Sequence, residues 1–443
     1  MTLTPHRRSA ARTEAATGSR PEVRPDRPAP GRDLGAQFAP LLAELAEGAL
    51  RRELDDELPI EPVRRLKEAG FGALRVPVAH GGRGASIPEL TQLWIDGAAA
   101  DATLTQVFRG HFALVEDRLW QHARGADQQV WFTRFLAGQI AGNAWSEAGA
   151  TLGTSDTLLT RRADGDYRLD GRKAYTTGTI YAEYADVHAR LDQAGGSDGP
   201  SGAGEDVIAL VDTRQAGVNV LNDWDGFGQR GTGSGTTTFE GAHVPAVDVL
   251  PFADRFPYQA ALYQLNLLAT LAGIGRAARR DAVAHVQRRE RTYSHGNAPR
   301  VRDDAQILAQ VGQVAAAAFV AEAATARVAE SLQRVADLAG RDPGDREVRA
   351  AAEAAEIEAG TAQVAVTAQV LTACTELFDT LGASATARSA GLDRHWRNAR
   401  TVASHNPRLF KARVVGDHLV NGAPPPYAWS IGATRRDQEW PRR

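Results

Sequence analysis

Residues 157–178, TLLTRRADGDYRLDGRKAYTTG, decide the fold because here the chain changes from a helical pattern to a strand pattern. Two Asp-Gly pairs, at 164–165 and 170–171, separate short runs of apolar and β-branched residues. An Asp-Gly pair between such runs is a strong signal for a tight turn joining two strands. Similar short runs continue to about Leu250. We therefore predict a small all-β domain, a barrel, over residues 141–250.

Helical patterns lie on both sides of this β-domain. Over residues 35–140, apolar residues recur at three- and four-residue steps, as in FAPLLAELAEGALRREL. An apolar seam over 305–338 is interrupted only by Thr325 and is followed by the helix-breaking turn GRDPGD. We predict an N-terminal helical domain over 35–140 and a C-terminal four-helix bundle over 251–430. The bundle helices are expected at 258–292, 305–338, 346–382 and 407–421.

The composition argues against several classes of partner. The net charge of −3 lacks the basic excess of a nucleic-acid binder, and no run of about 20 apolar residues predicts a membrane span. The single cysteine, Cys374, and the lack of an HExxH motif give no support to a metal site. Residues 1–34 are proline-rich and lack the apolar core of a signal peptide. We expect a disordered tail there and a cytoplasmic protein.

Five ordered stretches resemble the acyl-CoA dehydrogenase superfamily. They are LKEAGFGALRVPVAHGGRG (66–84), AWSEAGATLGTSD (144–156), GDYRLDGRKAYTTG (165–178), FGQRGTGSGTTTFEGAHVP (227–245) and RRERTYSHG (288–296). The resemblance covers roughly residues 36–425. It implies an N-terminal helical domain, a small β-barrel and a C-terminal four-helix bundle, so the expected fold class is mainly α with a central β-domain.

The C-terminal part is similar to one branch of that superfamily. Common acyl-CoA dehydrogenases carry a catalytic glutamate in this region, whereas residues 403–407 read ASHNP and contain no carboxylate. The block GLDRHWRNARTVASHNPRLFKARVVGDHLVNG (391–422) resembles the flavin-dependent monooxygenases typified by dibenzothiophene monooxygenase. This implies a two-component enzyme that takes reduced FMN from a separate NAD(P)H:flavin reductase. Through a C4a-(hydro)peroxyflavin, it would oxygenate a small apolar substrate or one with a sulfur or nitrogen heteroatom.

The resemblance also implies roles for individual residues. Four residues match the catalytic positions of the flavin peroxide pocket: His405, His111, Asn143 and Thr177. A histidine suits this chemistry because near neutral pH it can donate, accept or relay a proton. For the cofactor, the matching positions are Ser146 and Thr177 beside the flavin ring and Arg291 at the FMN phosphate. The family's habit further implies a homotetramer, with Arg291 near a subunit boundary.

Other interpretations of the same residues remain open. His405 can be a plain residue at the start of a helix, His111 a core histidine, and Asn143 and Thr177 ordinary polar groups at strand ends. Arg394, Arg397 and Arg400 suit structural ion pairs. The alternative function is an acyl-CoA dehydrogenase with FAD and a base from another bundle helix. A third hypothesis is a catalytically silent scaffold.

Overall fold

The computed structural model describes residues 33–147, 155–192 and 204–426. Nearly all of the predicted disordered tail (1–34) lies outside the described residues. So does most of the stretch GGSDGPSGAGED (195–206), whose composition predicts a flexible insertion between two strands. Within those ranges, helices occupy both ends of the chain and strands lie between them. The predicted fold class, mainly α with a central β-domain, is confirmed.

Seven α-helices precede the first strand in the part of the chain that the structure describes. They are α1 (Leu34–Glu47), α2 (Ala49–Asp55), α3 (Ile60–Glu68), α4 (Ile87–Ala100), α5 (Leu104–Val107), α6 (Arg109–Ala123) and α7 (Gln129–Leu136). Helix α4 begins with a capping box, in which Ser86 and Glu89 each bond the other's backbone N–H. Its buried face, which includes Trp94, packs against the first bundle helix. The N-terminal helices and the bundle therefore share one apolar core.

Over the described residues between 141 and 251, eight strands form the central sheet. They are β1 (Ala141–Ala144), β2 (Leu158–Arg161), β3 (Tyr167–Lys173), β4 (Tyr184–Asp192), β5 (Asp206–Asp212), β6 (Val218–Val220), β7 (Thr237–Val244) and β8 (Val249–Pro251). Their order is β6-β7-β3-β2-β4-β5-β8, with β1 beside β4. Strands β5 and β7 contact each other although three strands separate them, so the sheet curls around its own core. No pairing joins the edge strands β6 and β8 among the described residues, so the predicted barrel is open.

The C-terminal helices depart from the predicted set of four. They are α8 (Gln259–Arg288), α9 (Ala305–Ala336), α10 (Arg346–Glu376), α11 (Asp393–His405) and α12 (Arg408–Asn421). Helix α11 was not predicted, and the two predicted long helices at 258–292 and 346–382 end earlier than expected. Consequently His405 is the last residue of a helix and does not begin one. Asn406 and Pro407 separate α11 from α12, since a proline cannot continue the preceding helix.

Helix α9 is the one described helix that is long and apolar enough to cross a membrane by those two criteria alone. Its inner face, with Val314, Ala321 and Leu332, packs into the bundle core. Its outer face exposes Phe319 and Val320.

Candidate functional site

A cavity of about 520 Å³ lies where the three parts of the fold meet. The N-terminal helices contribute Gln106 and Arg109, and the bundle contributes Tyr263 and His405. The β-domain contributes the largest share: Asn143, Trp145, Ser146, Tyr175, Thr177, Trp224, Gly226, Phe227, Gln229, Thr232 and Ser234. Four of the predicted site residues, Asn143, Ser146, Thr177 and His405, line this one cavity. A cleft at a domain junction, with aromatic walls and a few polar groups, is a common setting for a ligand site.

The amino end of α6 packs tightly on strand β1. A Cβ atom on Gly110 would lie 2.8 Å from the backbone nitrogen of Asn143, so only glycine permits this approach. The contact brings Arg109 beside Asn143, and the Arg109 guanidinium donates to Asn143 Oδ1 at 3.2 Å. The arginine and the asparagine therefore form one wall of the cavity.

The loop from Trp224 to Ser234 forms a second wall and is held by α11. A Cβ on Gly228 would lie 2.3 Å from the carbonyl oxygen of Arg397, so the loop crosses the helix at close range. Asn398 Oδ1 accepts from the backbone N–H of Gln229 at 2.5 Å. The charged face of α11 thus has a structural role, because Arg397 also donates to the Phe227 carbonyl at 2.9 Å.

A chain of three hydroxyl groups connects Thr177 to this loop. Thr232 donates to the Gln229 carbonyl at 2.7 Å, so its oxygen accepts the Ser234 proton across 2.7 Å. Ser234 in turn accepts from Thr177, also at 2.7 Å. Since each hydroxyl has one proton and two acceptor lone pairs, Thr177 Oγ1 keeps a free acceptor site. It can therefore accept an N–H from a bound ligand.

The contacts around His405 favour one tautomer. Asn406 Nδ2 donates to Gln264 at 3.2 Å, which leaves Asn406 Oδ1 facing His405 Nδ1 at 3.4 Å. We therefore assign the ring proton to Nδ1, and Nε2 has no partner among the residues that the structure describes. Burial, with a smaller contribution from the charge of Arg109, lowers the pKa of His405 to about 3. The ring is neutral at physiological pH and offers Nε2 as an acceptor.

Arg109 is the least compensated charge on the cavity wall. Its side chain is 6% exposed, and its guanidinium lies 5.0 Å from the centre of the Tyr263 ring. Within the described ranges no carboxylate pairs with it, and its Nε has no acceptor. Burial lowers the pKa of Arg109, although its usual value is so high that the group stays charged.

Two cavity residues have strained backbone conformations. Tyr175 has φ 58° and Gln229 has φ 55°, both in the left-handed region that side-chain-bearing residues rarely adopt. The Tyr175 ring meets Trp224 edge to face, with the ring centres 6.0 Å apart. Such strain is concentrated at functional sites in proteins.

The structure does not bring the other two predicted residues to the cavity. His111 is fully buried in the N-terminal core, with Nε2 at 2.8 Å from the Gly72 carbonyl and Nδ1 accepting from the Ala141 N–H at 3.3 Å. Its assignment to the peroxide pocket is therefore corrected to a core histidine whose two nitrogens are satisfied by backbone. Arg291 lies beyond the end of α8, is exposed and does not line the cavity. Its predicted place on the first bundle helix is wrong.

Sequence reasoning missed several residues of the wall. Arg109, Gln106 and Tyr263 carry buried polar atoms that have no partner within the described structure. The RGHF sequence at residues 109–112 is the local signal for this segment, but its arginine and not its histidine lines the cavity. No aspartate or glutamate lines the cavity among the described residues. No group of three or more His, Cys, Asp or Glu that could hold a metal occurs there either.

Comparison with known proteins agrees with this architecture. Residues 37–139 match the family "Acyl-CoA dehydrogenase, N-terminal domain", and residues 267–407 match "Acyl-CoA dehydrogenase, C-terminal domain". "Probable FMNH2-dependent monooxygenase SfnC" of Pseudomonas putida is 27% identical over 90% of this chain and 97% of its own. Dibenzothiophene monooxygenase of Rhodococcus erythropolis is 28% identical over 81% of this chain and 86% of its own.

Solved structures give the same result. FMN-bound TdsC from Paenibacillus sp. A11-2 superposes with a TM-score of 0.77 at 27% identity, covering 88% of this chain and 98% of its own. The methanesulfinate monooxygenase MsuC of Pseudomonas fluorescens also has a TM-score of 0.77 at 27% identity, covering 89% and 98%. The chain belongs to the acyl-CoA dehydrogenase superfamily, within its branch of FMN-dependent monooxygenases.

Proposed function

We propose that this cavity binds reduced FMN together with a small substrate and that the protein is the oxygenase component of a two-component system. The observation that carries this function is the absence of a carboxylate from the described cavity wall, where neutral His405 stands instead. An acyl-CoA dehydrogenase needs a base strong enough to remove a carbon-bound proton, and a carboxylate is the usual one. A cavity wall without such a base favours transfer of oxygen to a substrate over removal of a carbon-bound proton.

The residues present fit a flavin. Trp145, Trp224 and Tyr175 provide aromatic surface, and Ser146 and Thr177 provide hydroxyls at adjacent strand ends, which are joined where Ala174 N–H donates to the Ser146 carbonyl at 2.8 Å. Reduced FMN, when bound, supplies two electrons to dioxygen, so that one oxygen atom enters the substrate and the other leaves as water. The protein's task is to position the reactants, exclude water and control protons.

Thr177 and His405 have complementary proton functions. Thr177 donates its hydroxyl proton to Ser234 in the hydrogen-bond chain that continues to Thr232. Its Oγ1 would therefore act as an acceptor for the N5–H of the reduced ring. His405 Nε2 would accept a proton or a hydrogen bond from the reacting oxygen, because Asn406 holds the ring proton on Nδ1. Neither group is charged, which suits a site that must not release peroxide to water.

Anaerobic titration with reduced FMN and reduced FAD tests the cofactor. We expect tighter binding of FMN. In air, product and water should form only when an NAD(P)H:flavin reductase is added, and label from ¹⁸O₂ should appear in the product. A preference for FAD, with oxidised flavin bleached anaerobically by an acyl-CoA, would support the dehydrogenase alternative.

The assembly and location remain proposals. The exposed apolar side chains of α9, Leu308, Phe319 and Val320, support a homotetramer in which copies cover this face. Arg291 would then reach the FMN phosphate of a neighbouring subunit as a charge-assisted donor. Light scattering that gives a stable monomer at micromolar concentration would contradict the tetramer. A cytoplasmic location, which cell fractionation would test, is also proposed.

A further inference from the structure

The cavity wall carries an excess of positive charge. Its charged residues among the described ones are Arg109 and Lys411, with no acidic residue beside them. Lys411 is compensated because its ammonium donates to the buried Glu356 carboxylate at 2.7 Å. Arg109 has no carboxylate partner among the described residues, so the part of the cavity wall that the structure describes contains one uncompensated buried cation.

An unpaired buried charge is costly, and its surroundings do not reduce the cost. Arg109 begins helix α6, where the helix dipole disfavours a cation. Its contacts, the Asn143 amide oxygen and the face of the Tyr263 ring, are neutral. Removing a charge from water without a counter-ion is strongly unfavourable. This arrangement therefore indicates that a counter-ion arrives with a ligand.

Further donors surround the guanidinium. Arg109 Nε lacks an acceptor, and the Tyr263 hydroxyl lacks a partner among the described residues. Burial raises the pKa of Tyr263, so its hydroxyl stays protonated and can donate. The amide of Gln106 is equally free, since its Oε1 is buried without a partner and either end of an amide can be turned to a ligand. Together these groups form an incomplete anion site.

We propose that Arg109, with Tyr263 and Gln106, binds the anionic group of an organic acid substrate, a sulfinate, sulfonate or carboxylate, beside His405. This inference rests on the proposed monooxygenase function and specifies its substrate class. The names of the relatives do not select this class, because one refers to dibenzothiophene, which is neutral, and one to methanesulfinate, which is an anion.

Binding of benzenesulfinate and benzoate to the flavin-free protein tests the proposal. Quenching of Trp145 and Trp224 fluorescence reports occupancy, and methyl phenyl sulfone serves as the neutral comparison. We expect Arg109→Met to weaken both anions by about 10- to 100-fold, the scale of a charge-assisted hydrogen bond. Arg109→Lys should restore part of the affinity, and the sulfone should bind all variants equally. Arg124→Met, at the opposite end of α6 and exposed, is the matched control and should bind the anions like the wild type.

Parallel anaerobic titrations with reduced FMN and reduced riboflavin separate substrate from cofactor. The proposal requires both flavins to bind Arg109→Met within about twofold of the wild type. If Arg109→Met bound reduced FMN more weakly but reduced riboflavin normally, Arg109 would bind the FMN phosphate. If it bound both flavins more weakly, Arg109 would contact the flavin ring. Either result overturns the proposal. So would failure of both anions to bind the wild type. If the anions failed to bind but a neutral substrate were oxygenated with reduced FMN, this inference would be overturned and the proposed function would stand.

Discussion

Two buried arginines flank the same cavity and have opposite electrostatic environments. Arg255 is 4% exposed and Arg109 is 6% exposed, and each lies near an aromatic ring of the cavity wall, at 5.1 Å from Trp145 and 5.0 Å from Tyr263. Arg255, however, donates to the carboxylate of Asp186 at 3.0 Å. Asp186 also accepts from Trp145 Nε1 at 2.9 Å. Arg109 has only a neutral amide and a ring.

The difference separates a structural charge from a functional one. The charges of Asp186 and its neighbours raise the pKa of Arg255 despite its burial, whereas burial alone lowers the pKa of Arg109. Asp186 holds Trp145 Nε1 and neutralises Arg255, so Arg255 needs no counter-ion from a ligand, although its Nη2 has no acceptor among the described residues. Arg109 is complete only with a ligand. Burial alone therefore does not distinguish them; the partners do.

The largest effect is expected from breaking the compensated pair. Asp186→Asn leaves Arg255 buried without a counter-ion and should lower the free energy of unfolding by about 3–5 kcal/mol. Urea denaturation measures it. Arg109→Met removes a charge that has no counter-ion among the described residues. The free energy of unfolding of this variant should therefore equal or exceed that of the wild type. Equal losses in the two variants would remove the distinction between the arginines.

The converse change supplies the missing counter-ion. Asn143→Asp places a carboxylate at the atom that Arg109 now contacts at 3.2 Å, so Arg109 would resemble Arg255. Benzenesulfinate affinity should fall by about 100-fold, because the guanidinium is neutralised and the new charge repels the anion. Asn143→Ala is the control and should have a smaller effect. Unchanged binding in Asn143→Asp would mean that the anion does not lie at Arg109.

Substitution of His405 tests the proposed proton transfer in the cavity that Arg109 also lines. In His405→Ala, product formation should fall by about 100-fold, the usual scale for a positioned acid–base group. The cost in unfolding free energy should be only about 1 kcal/mol, and FMN should still bind. The product-to-peroxide ratio in the reductase-coupled assay is the measurement. If that ratio did not change, His405 would only be a residue at the end of a helix.

The smallest expected effect is on the pH dependence of stability and comes from His111, a buried histidine that is neutral at pH 7. Burial lowers the pKa of His111 from 6.5 to about 4, so its contribution to stability is fully present above pH 6.5 and is lost as the pH falls towards 4. Between pH 7 and pH 5 this loss is roughly 2 kcal/mol. We expect the pH dependence of the free energy of unfolding, measured by urea denaturation, to be weaker in His111→Gln by that amount. Identical pH profiles would show that His111 does not titrate with unfolding.

The fold was predictable because periodicity encodes it, and α11 was missed for a physical reason. The apolar face of α11 consists of small residues such as Ala399 and Ala403. Its remaining contacts are polar and distant in sequence: His395 contacts Asp281 at 2.9 Å, and Arg397 pairs with Glu53 at 2.6 Å. No local pattern reveals partners more than 100 residues away. Arg394 and Arg397 nevertheless form structural ion pairs, as one interpretation held, whereas Arg400 donates to the Ser404 hydroxyl and has no ion pair among the described residues.

The sequence predicted some of the residues that line the cavity and missed others. Motifs placed Asn143, Ser146 and Thr177 because strand ends that converge on a ligand carry recognisable local sequences. On α6, two residues correspond to about 200° of rotation, so His111 and Arg109 lie on different sides of the helix. The motif indicated the helix that reaches the cavity, but the side chain that lines the cavity there is Arg109 and not His111. Only the packing of α6 on β1 shows which side faces the cavity.

The two strained residues have a consequence for evolution and engineering. Tyr175 and Gln229 each give up on the order of 1–3 kcal/mol by holding a side chain at a backbone angle that suits glycine. Selection for heat resistance alone would therefore favour glycine at Tyr175, whose ring is half exposed. At Gln229 the gain would be offset, because its Nε2 donates to the Ala102 carbonyl at 3.1 Å and to Asn398 Oδ1 at 3.2 Å, and glycine would leave both acceptors without this donor. A Tyr175→Gly variant would melt later while losing an aromatic ring of the cavity wall, so thermostability and the shape of the cavity are in competition at this residue.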